Sequence, residues 1–422
     1  MKFEDYNISH HIKKNLLKMG IRKPTDIQFK SIPHILKGED ILAIAQTGTG
    51  KTAAFAIPVL STIAYNKKNE RRPDGIKCLV MVPTRELAAQ LTTVFNEIAD
   101  HTGVNIMYVH GGVDQEGQIE NLQAGVDVLI ATPGRMFDLI SQGYIKLNRV
   151  QTLILDEADH MLDLGFIKDI RDVLRFLPSK RQTLFFSATI TPSIKKMAYS
   201  VVENKAVRIQ VSPKNPVART VEHTVAFVQM DDKRYFLDYL INSGEYKKIL
   251  VFVRTKVRAG RVQKAMERVG IATEVIHGEI EQKERSNLID RFSTTNQGVL
   301  ITTDVSSRGL DIPNVDLVIN YDMPDKPENY VHRCGRTGRG NNRGVAIGFC
   351  SEEEEPILGE IETYMGKKVD VMEINRSEYL NVVDSSIDNS FGWRKLIKEN
   401  TDLDIFDQVP EGKRKAKKKR KK

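Results

Sequence analysis

Short runs of apolar and β-branched residues recur along the chain, separated by longer helix-like mixtures of polar and apolar positions. In the first half the runs are ILAIA (41–45), CLVMV (78–82), VDVLIA (126–131), TLIL (152–155) and TLFF (183–186). In the second half they are ILVFV (249–253), TEVIH (273–277), GVLITT (298–303), DLVINY (316–321) and GVAIGF (344–349). Continuous apolar runs of this length suit strands buried on both faces, and strands of that kind belong to parallel sheets with helices outside. The alternation of strand and helix predicts the α/β class, as two tandem domains with parallel sheets flanked by helices. No residue-level repeat relates the halves; their likeness is one of pattern.

Pro213, Asn215 and Pro216 interrupt both periodicities in VRIQVSPKNPVARTVEH, which predicts a joint there. The expected organisation is a first domain over 1–206, a linker over 207–218, a second domain over 219–372 and a polar extension over 373–422. A chain of 422 residues exceeds what one core usually serves, and 41% apolar residues can supply two. No apolar run approaches the roughly 20 residues of a membrane span, so no membrane role is expected. The opening MKFEDYNISHHIKKNLL makes a poor signal peptide. Cys78, Cys334 and Cys350 are scattered and lack metal-ligand spacing. A reducing, cytoplasmic setting without a disulfide framework is the expectation.

The net charge of +8 suggests a nucleic-acid partner until its location is considered. The last ten residues, KRKAKKKRKK, hold nine Lys or Arg and no acid, which leaves the preceding 412 residues near −1. The basic balance belongs to the tail, which has almost nothing apolar to bury and is expected to stay disordered and make sequence-blind phosphate contacts. The partner of the folded part must be argued from motifs.

The candidate chemistry starts at ILAIAQTGTGKTAAF, a strand, a Gly-containing loop and a helical run. Its octet Ala45, Gln46, Thr47, Gly48, Thr49, Gly50, Lys51 and Thr52 matches the phosphate-binding P-loop except that Ala45 replaces the first Gly. Gly48 and Gly50 let backbone N–H groups converge on phosphate oxygens, and the following helix adds its positive end. Lys51 can reach the β- and γ-phosphates, and the Thr52 hydroxyl can ligate Mg²⁺. Downstream, TLIL runs into Asp156, Glu157, Ala158 and Asp159. Three carboxylates in four positions are either a solvated turn after a buried strand or a site that holds a cation. Beside a P-loop the second reading has a physical basis. Asp156 ends the strand and can hold the Mg²⁺ of a bound ATP, partly through water, Glu157 can polarise the attacking water, and Asp159 is spare to bind a neighbouring loop.

These motifs sit in a longer ordered series, and over roughly residues 3–350 the chain resembles the DEAD-box ATP-dependent RNA helicase family, whose fold is two RecA-like domains facing across a cleft. Phe3, 17 residues before Gly20, and GIRKPTDIQ ending in Gln28 resemble the Q motif. By that resemblance Gln28 reads the adenine edge, with Phe3 and Lys23 flanking the base. PTRELAAQ (83–90) with Pro83, Thr84 and Arg85, the pair Gly111 and Gly112, and TPGR with Thr132, Pro133, Gly134 and Arg135 resemble the RNA-facing motifs. SAT, with Ser187 and Thr189, resembles the motif that bonds to the acidic cluster and couples hydrolysis to strand separation. In the second half, Arg254 and Thr255, Gln282 and Arg285 of HGEIEQKER, and Thr303 of TTDVSSRGLD resemble RNA contacts, and Asp311 corresponds to the residue bonding the ATP ribose. HRCGRTGRG carries His332, expected to couple the domains, and Arg336 and Arg339, which correspond to arginine fingers acting on the γ-phosphate. Cys334 departs from the family's usual aliphatic residue and reads as a small hydrophobe.

The resemblance implies an RNA-stimulated ATPase, using ATP and Mg²⁺, that opens short RNA duplexes or remodels RNA–protein contacts as a monomer, with ribonucleoprotein or ribosomal partners. The catalytic set it implies is Lys51, Glu157, Arg336 and Arg339. Two other classes stay open: an ATP-gated RNA clamp or assembly scaffold, and a DNA helicase or protein-moving ATPase on the same tandem core. The compact core and short basic extension are similar to bacterial members of the RhlE-like branch.

Overall fold

The computed structural model describes residues 2–46, 48–69, 75–202, 205–211, 220–307, 312–338, 343–372 and 377. Each of the ten apolar runs is a strand, and four further strands complete two sheets of seven. The first sheet contains β1 (Ile41–Ala45), β2 (Cys78–Met81), β3 (Ile106–Val109), β4 (Val128–Ala131), β5 (Thr152–Leu155), β6 (Gln182–Ser187) and β7 (Val207–Val211). The second contains β8 (Val221–Phe227), β9 (Lys248–Phe252), β10 (Glu274–Ile276), β11 (Gly298–Thr302), β12 (Leu317–Asn320), β13 (Gly344–Cys350) and β14 (Asp370–Val371). Every strand pairing is parallel. The spatial orders are β3-β4-β2-β5-β6-β1-β7 and β10-β11-β9-β12-β13-β8-β14. Counted from the first strand of each domain, both read 3-4-2-5-6-1-7, so the likeness of pattern seen in the sequence is one of topology.

Burial explains why the central strands are apolar throughout. All five residues of β1 are buried, Ile41, Ala43 and Ala45 packing into one cluster and Leu42 and Ile44 into the other. In β9, Leu250 and Phe252 face one helical layer and Ile249 and Val251 the opposite one. Each large apolar side chain so buried stabilises the fold by roughly 1.5–3 kcal/mol, and a polar substitution on either face forfeits that.

The expected linker over 207–218 needs correction at its start. Val207–Val211 is β7 and pairs with β1 from Ile41↔Val207 to Ala45↔Val211. Its burial follows a half-covered edge, with Ile209 buried and Arg208 and Gln210 exposed, which no continuous apolar run would reveal. The Pro-containing part of the joint lies outside the described residues, as do 373–422 apart from Ser377, and so does the basic tail. All three cysteines are buried and unpaired. Burial pushes the Cys334 thiol up to about 12, which agrees with its reading as a small hydrophobe. Among the described residues no helix is long and apolar enough to cross a membrane.

Candidate nucleotide and RNA site

In parallel sheets the ligand-facing loops follow the carboxyl ends of the strands. The shared strand order sorts those loops into two halves in each domain. In the first domain the neighbouring strands β5, β6 and β1 lead into the acidic cluster, SAT and the P-loop. The opposite half, β3, β4 and β2, leads into Gly111–Gly112, Thr132–Arg135 and Pro83–Arg85. The second domain repeats the division: β10, β11 and β9 lead to Gln282 and Arg285, to Thr303, and to Arg254–Thr255, whereas β12 leads to His332 and Arg336.

The P-loop joins β1 to the helix Lys51–Asn69. Gly48 and Gly50 have φ of 78° and 88°, values that glycine adopts without steric cost. A Cβ on Gly50 would also stand 2.5 Å from Nε2 of Gln28. Gln28 is buried, and its amide is already engaged: Nε2 donates to the carbonyl of Gly50 at 3.1 Å and Oε1 accepts from the N–H of Thr25 at 3.0 Å. Gln28 therefore ties the Q motif to the phosphate loop. Phe3 is 3% exposed and packs in the first core with Tyr6, its ring centroid 6.1 Å away. Lys23 is exposed, and Thr47 lies outside the described residues.

Lys51 is 7% exposed and its ammonium has no hydrogen-bond partner among the described residues. A buried, unmatched ammonium is costly, and phosphate oxygens are the partners that would satisfy it. ATP and Mg²⁺ therefore fit the residues present: the glycine-lined loop and Lys51 for phosphates, Thr52 and Asp156 for the ion. We predict that Lys51→Ala removes most ATP binding, measured by fluorescence or calorimetric titration. Unchanged affinity would rule out the P-loop as the nucleotide site.

The acidic cluster resolves its own repulsion residue by residue. Burial pushes the Asp156 carboxyl up to about 6, against the pull of Lys51. Burial would also raise Glu157, but His160, Lys51 and Arg336 hold it down at about 2. Glu157 adopts φ 51° and ψ 47°, a left-handed conformation that costs on the order of 1–3 kcal/mol outside glycine, and it starts the short helix Ala158–Asp163. Asp159 is opposed by burial yet lowered by His160 and His332. Its Oδ2 accepts from the backbone N–H groups of Ala188 and Thr189 at 3.1 and 3.0 Å, while the Ser187 hydroxyl donates to the Thr189 carbonyl at 2.9 Å. The acid-to-SAT bond is thus made by main chain, not by the small hydroxyls.

The second domain closes over this cluster. Nε2 of His160 lies 3.3 Å from Nδ1 of His332, and Lys326 pairs with Asp163 at 3.1 Å. Arg336 is 8% exposed and its charge reaches Glu157 across the cleft. Asp311 and Arg339 lie outside the described residues. Among the residues not anticipated from sequence is Arg333, fully buried, which forks onto Asp304 at 2.5 and 2.7 Å and stacks 5.1 Å over Phe252. It anchors the helix Pro327–Cys334 that carries His332.

The candidate RNA loops show matched local construction. Thr84 caps the helix Arg85–Ala99 by accepting from Leu87 N–H at 3.3 Å, and Thr255 caps Lys256–Arg268 by accepting from Arg258 N–H at 3.1 Å. Both therefore secure helix N-termini, where a phosphate is favoured. Thr132 precedes the helix Pro133–Ser141, with Gly134 in its first turn. The Arg85 guanidinium fills the space over Gly112, where any Cβ would collide with it, and approaches Gly111. Arg135 donates from Nη2 to the Val113 carbonyl at 2.8 Å and leaves Nη1 buried without a partner among the described residues. Three residues expected at the RNA bond protein groups. Arg285 donates from Nε to Glu86 of the first domain at 2.5 Å and from Nη2 to the Ser306 carbonyl at 2.6 Å. Thr303 is buried and donates to the Ser306 hydroxyl. Arg254 bonds the Met323 carbonyl and pairs with Asp325 and Glu354. Gln282 begins the helix Gln282–Thr294, its side chain lying outside the description. Arg285 with Glu86 therefore forms a latch between the domains, and Glu86 lay unassigned inside PTRELAAQ.

Residues 25–197 match the DEAD/DEAH box helicase family and residues 232–341 match the helicase conserved C-terminal domain. ATP-dependent RNA helicase RhlB of Shewanella amazonensis is 36% identical over 384 residues, 90% of this chain and 87% of that protein. ATP-dependent RNA helicase CshA of Listeria monocytogenes is 37% identical over 87% of this chain and 69% of its own length. Among solved structures, S. cerevisiae Dbp5 bound to RNA and ADP BeF3 superimposes with a TM-score of 0.79 at 29% identity, covering 92% of this chain and 99% of that one. With the P-loop, the acidic cluster and the tandem sheets in the same chain, these likenesses have one reading: the chain belongs to the DEAD/DEAH box helicase family.

Proposed function

We propose that the protein is an ATP-dependent RNA helicase, hydrolysing ATP in response to RNA and using the cycle to open short duplexes locally or remodel RNA–protein contacts. The observation that carries this reading is the cross-cleft contact of His332 with His160, which sets Arg336 close enough to influence Glu157. ATP would lie between the halves, Lys51 and the P-loop amides on its phosphates, Glu157 orienting the attacking water, and Arg336 with Arg339 offsetting charge as the γ-phosphoryl group transfers. Asp311 is proposed to bond the ribose. Magnesium, held by Thr52 and by Asp156 partly through water, would neutralise phosphate charge when bound. RNA would cross the β2–β4 and β9–β11 loops of both domains, contacted mainly through phosphate and 2′-OH. RNA and ATP then favour the same closed form, so each must strengthen binding of the other.

RhlB and CshA are named as ATP-dependent RNA helicases, and Dbp5 was solved with RNA, which supports RNA over DNA as the polymer. Because one chain supplies both faces of the nucleotide site, a monomer suffices. A cytoplasmic location accords with three buried, unpaired thiols, and ribonucleoprotein or ribosomal assemblies are the proposed setting. The test is ATPase turnover with single-stranded RNA, single-stranded DNA or neither, alongside unwinding of a short RNA duplex. Stimulation by RNA alone, with ATP-dependent unwinding, is expected. Equal stimulation by DNA would defeat the assignment, and long RNA residence without unwinding would convert it to a clamp.

A further inference from the structure

His160 is the fifth residue of the run that begins at Asp156, and it is 2% exposed. Its Nδ1 stands 2.9 Å from Oε2 of Glu157, and its Nε2 stands 3.3 Å from Nδ1 of His332 in the other domain. The two imidazoles meet edge to face, with centroids 4.9 Å apart and planes at 84°. Its own backbone N–H is bonded to Asp159 at 3.2 Å.

The chemistry of the partners assigns the protons. An ionised carboxylate only accepts, so Nδ1 of His160 carries the hydrogen. Nε2 of His160 then faces Nδ1 of His332, and one hydrogen bond joins the two rings. The result is one chain from His332, through His160, to Glu157. Its second link crosses between the domains, so their separation would break it.

We propose that His160 is a positioning residue that fixes the Glu157 carboxylate toward the attacking water when closure brings His332 against it. RNA would then act on hydrolysis by two routes, delivering Arg336 and locking the orientation of Glu157. The inference rests on the helicase reading above. A histidine suits the post because its two nitrogens point to opposite sides of a rigid ring, one donating and one accepting, at a spacing that spans the cleft.

Three substitutions separate this role from packing. His160→Phe keeps a ring and loses both nitrogens, His160→Asn sets an amide N–H near the place of Nδ1, and His160→Gln sets one near Nε2. RNA-saturated turnover should fall about 10-fold or more in His160→Phe, the loss of a hydrogen bond to a charged group, with the KM for ATP within about two-fold. His160→Asn should recover more of that loss than His160→Gln, a comparison that holds even if His160→Phe folds poorly. The inference is overturned if Gln equals or exceeds Asn in turnover, if all three retain full stimulation, or if kcat and the KM for ATP shift together. A wild-type chain without RNA-stimulated turnover would instead overturn the helicase reading itself.

Discussion

Arg336→Ala lowers RNA-stimulated turnover by about 10³–10⁵, the range expected when a guanidinium that meets the transferring phosphoryl group is lost. The effect is large because the side chain is nearly enclosed and water cannot replace its charge as cheaply as at a surface. Nucleotide binding should change far less, since the P-loop, Lys51 and Asp156 all belong to the other domain. Arg336→Lys keeps a charge without the planar fork and should recover only part of the rate. Single-turnover hydrolysis with saturating RNA, beside nucleotide titration, measures both quantities. A loss below a few-fold would remove Arg336 from the catalytic set.

Glu157→Gln should cut hydrolysis by about 10²–10⁴, the usual contribution of a positioned base, while ATP and RNA binding persist. The amide copies the carboxylate's shape and can still accept from His160, so the left-handed backbone and the helix behind it survive. What disappears is an ionised acceptor held at about 2 by its neighbours. With ATP present the variant should stay closed and release RNA slowly. Near-normal turnover would make Glu157 a structural residue. The two variants are distinguishable, because the first weakens closure from the second domain and the second traps it.

Most of the architecture was legible because the central strands are buried on both faces and therefore continuous in apolar character. The strands that escaped notice obey other rules. β3 and β7 are sheet edges, and β14 is two exposed residues. β8 alternates buried and less buried positions and even buries His223, bonded to Tyr330 at 3.2 Å; apart from β3, whose IMYV is a short apolar run at an edge, none of these is a plain apolar run. At the site, motif residues whose role is set by the backbone were readable, as with the glycines at 48 and 50. Side chains with two competing partners were not. Phe3 had a core to enter, Gln28 a loop to hold, and Arg285 a carboxylate 199 positions away in sequence. Such choices depend on what tertiary contact brings near, and spacing carries no record of it. Glu86, Arg333 and His160 were missed for the converse reason: the first two lay inside motifs and the third just after Asp159, and only proximity gives each its work.

The common strand order of the two halves has a consequence for how the enzyme behaves as a population of molecules. Two subunits of like topology that share an active site between them would separate on dilution, and their specific activity would fall with them. Here the like halves are segments of one chain, and the second has polar VQMDD after β8 where the first has its glycine loop. On the proposed mechanism the half that supplies the arginine would always be present at a fixed effective concentration. Its arrival would then be governed by ligands and not by the amount of protein. One chain should carry one nucleotide with a simple, non-sigmoidal saturation curve.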